Sequence, residues 1–392
     1  MGIKKIRRNE KYMLKGSLKK NGFDCWRLVT NAISNVTGEE KTFFIEYYIV
    51  NPSVSPDECL LGFKNRFKKT AADLQYALAG TQSTQSVTSQ TFVQPSFLMV
   101  RAGVFAENGR HVSAYYPCSQ LNIGTNDFLI CVGNGELKES ILSDDFTQGR
   151  VKVLPEFLME NPEYLCDAGE IMWDLRFDKQ IGFLPDYRGK GIHWAAFGAK
   201  TSFSGRILFN GEEFTVYPGK SFGYFDKNWG KAFVNPFFHL SSSNFTSNIS
   251  GMNLSSSCFA VQGEFNKKLS VLVQVEGKKI QFHADRHRSY EVTYDFLKMP
   301  ENEEDVKLHW TVSAHNKKYV IDVDIFSSVK AVYVRDFECP EGGRKVLKVL
   351  GGANGTGELR IYKKIVKNLE LIEDVKIANC LCEYGNIEYP ES

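Results

Sequence analysis

The chain has 392 residues, of which 43% are hydrophobic and 24% charged. That is the composition of a soluble globular protein with material for a sizeable core, and it is too long for one ordinary domain. Its 48 Lys and Arg nearly balance its 46 Asp and Glu, which argues against the basic field of a nucleic-acid-binding protein. The one basic cluster (Lys4, Lys5, Arg7, Arg8, Lys11, Lys15) is assigned no role.

Strand-like text begins at Phe23-Asp-Cys-Trp-Arg-Leu-Val29 and continues, after a turn at Thr37-Gly-Glu-Glu40, in Thr42–Val50. The second run is apolar on both faces except for Glu46. A half-exposed strand would alternate, so this one is either sandwiched or faces a cavity, with Glu46 a candidate ligand contact. A loose helical pattern spans 64–75, and the low-complexity stretch 80–92 reads as a surface loop. Strands return at Ser96–Ala106 and Val112–Tyr116 around Asn108-Gly109, then at 128–132, 150–154 and Gly169–Phe177. A short helix is expected at Pro155–Tyr164, and Asn210-Gly211 forms a second hairpin between 203–209 and 213–217. The Ser/Asn-rich stretch 241–251 suggests a domain boundary near 245. Strand runs follow at 257–262, 269–276, 279–284, 290–296, 306–314, 319–325, 331–334, 345–349 and 358–364.

Short strands with turn chemistry between them argue for an all-β protein of sandwich or barrel type. No βαβ unit appears, so a doubly wound nucleotide-binding fold is not expected. Gly351–Gly357 has phosphate-loop glycines, but Glu358-Leu-Arg-Ile-Tyr reads as strand, so a tight turn or bulge is expected instead. His283 and His287 lie in strand and turn text, which speaks against a metal pair, and no nucleophile elbow is present. The nine cysteines sit mostly in apolar runs and read as buried and reduced. No apolar segment follows the charged start and no run approaches about 18 apolar residues, so a cytoplasmic protein is expected.

The stretch Pro218–His239 concentrates the chemistry. Asp226 lies among Tyr224, Phe225 and Trp229, and a lone carboxylate among aromatics must be paired, protonated or exposed. Two readings stay open: Asp226 caps a turn facing water, or it is a site carboxylate. His193 and Trp194, in Gly191-Ile-His-Trp-Ala, are read either as a structural pair or as the mouth of a cavity. Trp173 and Asp174 are neighbours on a strand and so point to opposite faces.

Tyr224-Phe-Asp-Lys-Asn-Trp-Gly-Lys-Ala-Phe233, with Phe203-Ser-Gly-Arg-Ile207 before it, resembles the tocopherol cyclase family. That family's signature is a carboxylate, Lys-Asn-Trp-Gly and an aromatic-rich strand. Ile171–Phe177 and Gly22–Arg27 are similar to it as well, and carotenoid 1,2-hydratases and lipocalin-like Diels–Alderases share the Asp-x-x-Trp-Gly core. The resemblance covers roughly 170–240. It implies two tandem lipocalin-like antiparallel β-barrels or sandwiches, 1–245 and 246–392, with an apolar pocket near the first barrel and the junction. Asp226 stands where the cyclases often carry Glu, and no plastid transit segment is visible.

Protonating a C=C bond needs an acid kept neutral, which burial among aromatics supplies, and aromatic faces stabilise the resulting cation. The expectation is therefore a lyase or isomerase acting on a prenylated or polyunsaturated molecule. Asp226 would be the acid, and Tyr224, Asn228, Trp229, Trp194, His193, Trp173 and Glu46 would surround the ligand, without cofactor or metal. The alternative is a non-catalytic carrier of a hydrophobic small molecule, since fold does not fix function. Passing contact with a membrane fits either reading, and no nucleic-acid partner is expected.

Overall fold

The computed structural model describes residues 9–54, 61–62, 94–107, 109–125, 127–133, 139–162, 164–185, 191–264, 268–282, 290–295, 306–343, 345–366 and 368–388. The helix expected at 64–75, the loop at 80–92, and His283 and His287 lie outside them.

The first sheet holds β1 (Phe23–Ser34), β2 (Glu40–Val50), β3 (Phe97–Phe105), β4 (Arg110–Tyr116), β5 (Leu121–Ile123), β6 (Leu129–Val132), β7 (Ser140–Ser143), β8 (Phe146–Val153), β9 (Gly169–Phe183), β10 (Ile192–Phe209), β11 (Glu212–Val216) and β12 (Gly223–Gly230). The pairing order is β4-β3-β2-β1-β11-β10-β9-β8-β7-β6-β5, and β12 joins β1 to β10. The sheet curls until β4 packs on β8 and β9. Across its interior the Tyr47 hydroxyl on β2 reaches the Ile141 carbonyl on β7 and Thr147 on β8, each at 3.0 Å. In β9 the inward Ile171, Trp173, Leu175 and Phe177 alternate with exposed Met172, Asp174, Arg176 and Asp178, the period of a strand with one wet face. The β10–β11 hairpin turns at Asn210 (φ 49°) and Gly211 (φ 87°), as an Asn-Gly pair favours. The short helix α1 (Pro155–Glu160) is opened by its proline and ends four residues earlier than the sequence pattern suggests.

The second sheet holds β13 (Phe237–Ser242), β14 (Asn244–Ser247), β15 (Cys258–Glu264), β16 (Lys268–Val275), β17 (Lys278–Phe282), β18 (Tyr290–Asp295), β19 (Lys307–His315), β20 (Tyr319–Ser328), β21 (Tyr333–Glu338), β22 (Val346–Ile365) and β23 (Asn368–Glu388). Its order is β17-β16-β15-β13-β23-β22-β20-β19-β18, with β14 on β23 and β21 on β22. Phe238 on β13 meets Trp310 on β19, 6.0 Å between ring centres, so this sheet also wraps its own core. The molecule is thus all-β, two large antiparallel sheets each curled around an apolar interior.

Three sequence expectations shift. The chain passes between sheets at 231–236, so the Ser/Asn-rich stretch near 245 carries β13 and β14 of the second sheet. Segments 345–349 and 358–364 are one strand, β22, whose glycines make register shifts between Gly352 and Gly355 and between Gly355 and Gly357, the bulge anticipated there. A Cβ on Gly357 would lie 1.9 Å from the Asp324 carbonyl oxygen, so only glycine allows that approach. The 21-residue β23 has no counterpart among the predicted strands. Asn379 (φ 49°) breaks its alternation, so neither half shows a clean period.

The two curled sheets meet face to face. Strands β1, β2 and β3 are buried almost end to end on both faces: one side lines the first core, the other the second sheet. Two apolar clusters span the junction. One includes Val29, Phe44, Tyr224, Trp194, Ala260 and Leu381, the other Cys25, Tyr48, Phe97, Phe237, Phe337 and Leu347. Between them runs a row of charges.

Candidate active site at the sheet junction

Asp226 lies in the middle of β12, fully buried, so the turn-cap reading is set aside. It pairs in register with Arg27 on β1, Arg27 with Glu46 on β2, Glu46 with Arg101 on β3, and Arg101 with Ser113 on β4. Residues opposite one another across a sheet share a face, so one rung of the first sheet presents −, +, −, + to the junction. The second sheet supplies Glu383 on β23 and Arg335 on β21. Arg335 reaches Glu383 diagonally over Gly351, where a Cβ would come within 3.0 Å of the Glu383 side chain and 3.5 Å of the guanidinium.

The contacts close an alternating chain. Arg27 grips Asp226 with two nitrogens, Nε to Oδ1 at 3.2 Å and Nη2 to Oδ2 at 2.7 Å, and its third nitrogen donates to Glu383. Arg335 bridges Glu383 to Glu46. Arg101 lies 3.4 Å from Glu46 and donates to the Asp336 carbonyl at 2.7 Å and to Ser113 Oγ at 3.2 Å. All six charged side chains are buried. Three of each sign are present, which is what makes such a layer tolerable.

Around Asp226 the polar shell thickens. The Trp194 indole N–H and the Tyr224 hydroxyl both donate to Oδ2 at 3.0 Å. The His239 ring lies 5.2 Å from Tyr224 and 6.1 Å from Trp194, with Nε2 at 3.0 Å from Ser241 Oγ. Gln262, in register beside His239, donates to Asn228.

The two carboxylates that share Arg27 are tuned apart. Burial pushes the Asp226 carboxyl above its ordinary value, Arg27 works against that rise, and Glu383 adds to it. Burial opposes the Glu383 charge too, but Arg27 and Arg335 together pull its pKa down to about 2. Glu383 is therefore a fixed anion, and Asp226 is the one of the two carboxylates whose charge burial on balance disfavours, held by Arg27 and the donors around it. Burial, with Arg27 nearby, holds the His239 imidazole neutral. Tyr224→Phe removes one donor to Asp226 and is expected to cost about 1.5–3 kcal/mol, the usual worth of a hydrogen bond to a charged group. Urea denaturation measures this, and an unmoved midpoint would show that the hydroxyl contributes nothing.

A cavity of about 40 Å³ opens on the Phe337 side of the charge row, room for two or three waters. Arg27, Glu46, Arg335, Glu383 and Asn228 form its polar wall, and Phe233, Phe237, Phe337 and Leu347 its apolar one. Of the residues singled out from sequence, the fold gathers Asp226, Tyr224, Trp194, Asn228 and Glu46 at the junction. His193 and Trp229 stack on each other, 5.3 Å between rings, with Trp229 in the first core and His193 exposed. Trp173 is in that core as well, its indole N–H donating to Thr147 at 3.0 Å. Arg27, Arg101, Arg335, Glu383, His239 and Gln262 were not singled out. Arg101, within the apolar run Phe97–Phe105, carried the same signal as Glu46, one charged residue in a strand apolar on both faces; Arg335, in Tyr333–Glu338, did not.

The other face of β12 holds a second buried polar group. Lys227 Nζ lies 3.1 Å from Asp24, donates to the Lys11 carbonyl at 2.6 Å, and sits 4.4 Å from the Trp26 ring centre and 5.2 Å from that of Trp229. Asp24 in turn accepts from the Met13 amide at 2.7 Å, and Trp26 donates to the Glu10 carbonyl at 2.8 Å. This cluster fastens residues 9–13 across the end of the first barrel.

No family model and no curated protein matches the chain. Among solved structures it is similar to a protein from Nitrosomonas europaea provisionally named AttH (9% identity, 91% of each chain, TM-score 0.44). It is also similar to CghA crystallised with Sch210972 (10%, 94% of this chain and 89% of that one, 0.42) and to kievitone hydratase from Nectria haematococca (9%, 93% and 89%, 0.40).

Proposed function

We propose that the chain binds a hydrophobic, unsaturated small molecule at the sheet junction, where the small cavity has to widen to admit it, and catalyses proton-initiated addition or ring closure at a C=C bond, as a hydratase or cyclase. The supporting observation is the opposite tuning of Asp226 and Glu383 on one shared arginine. In this reading protonated Asp226 gives its proton to one alkene carbon, leaving a cation on the other. The faces of Trp194 and Tyr224 and the permanent charge of Glu383 stabilise that cation. Water or a hydroxyl of the same molecule then adds to it, and the proton released returns to Asp226. Such acid–base chemistry requires no redox group. The motif's likeness to the tocopherol cyclase family suggests a prenylated phenol or a polyene as the substrate class.

One observation favours the alternative, a carrier without chemistry: Asp226 stands behind Arg27, outside the cavity lining. Assaying Asp226→Asn on prenylated quinols and polyenes separates the two. The acid role predicts a loss of at least about 10²-fold in turnover, the scale of general acid catalysis. Full turnover by a folded Asp226→Asn protein removes the acid. Ligand retained by wild type in native mass spectrometry, with no turnover, establishes the carrier.

A further inference from the structure

The end of the second barrel opposite in character to the junction is a bare hairpin tip. Strands β22 and β23 continue past their neighbours: β20 pairs with β22 only as far as Tyr319 opposite Lys363, and β14 with β23 only as far as Ser247 opposite Val375. The last rungs, Lys364 opposite Leu369 and Ile365 opposite Asn368, have no third strand beside them among the described residues. Four large apolar side chains stand in water there: Val366 fully exposed (102%), Leu369 at 54%, and Ile365 and Leu371 each at 44%. Isolated exposed apolar residues are ordinary, but four on one projecting tip are not.

Val366 adds an independent oddity. Its φ is 39°, a left-handed turn position that glycine or asparagine fills cheaply and a β-branched residue resists. Turn chemistry therefore does not explain the valine, whereas a need for an apolar point does. Around the tip the charge is of one dominant sign. Lys363 and Lys364 flank it on β22, and Lys317 and Lys318 stand exposed on the adjoining turn, where the Lys364 amide donates to the Lys318 carbonyl at 2.8 Å. Lys278 lies 4.9 Å over the ring of Tyr319 on the next strand. Against these five lysines stand Glu370 and Glu276, and Glu276 is already engaged by Ser256 and Ser257.

We infer that this tip docks the protein onto an anionic lipid bilayer, with Ile365, Val366, Leu369 and Leu371 entering the headgroup boundary and the lysines meeting lipid phosphates and carboxylates. Lysine charge with exposed aliphatic side chains is the combination that peripheral membrane attachment needs. A protein partner would have to supply both an apolar socket and an acidic rim, whereas an anionic bilayer supplies both at once. No helix among the described residues is long and apolar enough to cross a membrane.

Flotation of the full chain with phosphatidylcholine vesicles tests this, with and without about one-third phosphatidylserine, at about 0.1 M salt. The anionic vesicles should carry at least about tenfold more protein than the neutral ones, since a few lysines acting together exceed the energy of one decade. Val366→Gly with Leu369→Ser should lose that binding while thermal stability is kept or raised, because glycine relieves the turn. Lys317→Glu with Lys318→Glu should lose it too. The inference falls if wild type ignores anionic vesicles, or if the tip variant floats as well as wild type. It also falls if wild type self-associates without lipid and the tip variant abolishes that association, which would assign the tip to a second copy.

Discussion

Glu383→Ala is expected to lower the free energy of unfolding by about 3–5 kcal/mol, the cost of removing one partner from a buried ion pair. Among the described residues, Glu383 alone forms ion pairs with both Arg27 and Arg335. Without it the buried row carries three positive and two negative charges beside a cavity with room for only two or three waters. The two arginines would then repel across the gap the carboxylate had filled. Urea denaturation followed by circular dichroism checks the value; a shift worth less than about 1 kcal/mol would mean that water or a side-chain rearrangement compensates. The same residue sets an acid limit. Its folded pKa of about 2 lies below the ordinary 4.5, so its contribution is fully present above about 4.5 and is lost as pH falls toward 2. By the linkage relation that contribution is about 3 kcal/mol.

The Asp24–Lys227 pair should behave in the opposite way. Burial raises Asp24 to about 6 against the pull of Lys227, and burial lowers Lys227 to about 8 against the pull of Asp24. Both shifts favour the neutral forms, so between about pH 6 and 8 the ionised pair costs stability. Asp24 contributes stability present below about 3.8 and lost as pH rises through 6. Lys227 contributes stability present above about 10.5 and lost as pH falls through 8. Lys227→Met alone strands a buried carboxylate and should cost about 3 kcal/mol at pH 7. Asp24→Asn combined with Lys227→Met keeps an acceptor for the Met13 amide and should be neutral or up to about 3 kcal/mol more stable than wild type. A double variant weaker than the single one would refute this account.

Both cases concern buried charge, and buried charge is where the sequence was least legible. The strand runs could be read because alternation and Asn-Gly turns are local: Ile171 to Phe177 and the Asn210-Gly211 hairpin needed nothing from elsewhere. The double-faced burial of β2 was visible in Thr42–Val50, and so was its lone Glu46. What could not be read was which charges meet. Arg27 and Glu383 are 356 positions apart, and their pairing depends on two sheets packing in one register. Asp226 stood out because its neighbours are aromatic. Arg335 and His239 sit in text that looks the same whether they face a partner or water.

The alternation along the junction also indexes one half of the molecule against the other. The first sheet offers −, +, −, + on neighbouring strands, and the second answers with Glu383 on Arg27 and Arg335 on Glu46. Sliding the second half sideways by one strand, roughly 4.8 Å, would set Glu383 on Glu46 or Asp226, and Arg335 on Arg101 or Arg27. Like would face like in a buried layer. The next setting of correct parity lies two strands away, about 10 Å, where part of the keyway runs out. Apolar clusters by themselves tolerate such sliding; the charges convert a greasy contact into one with a single phase.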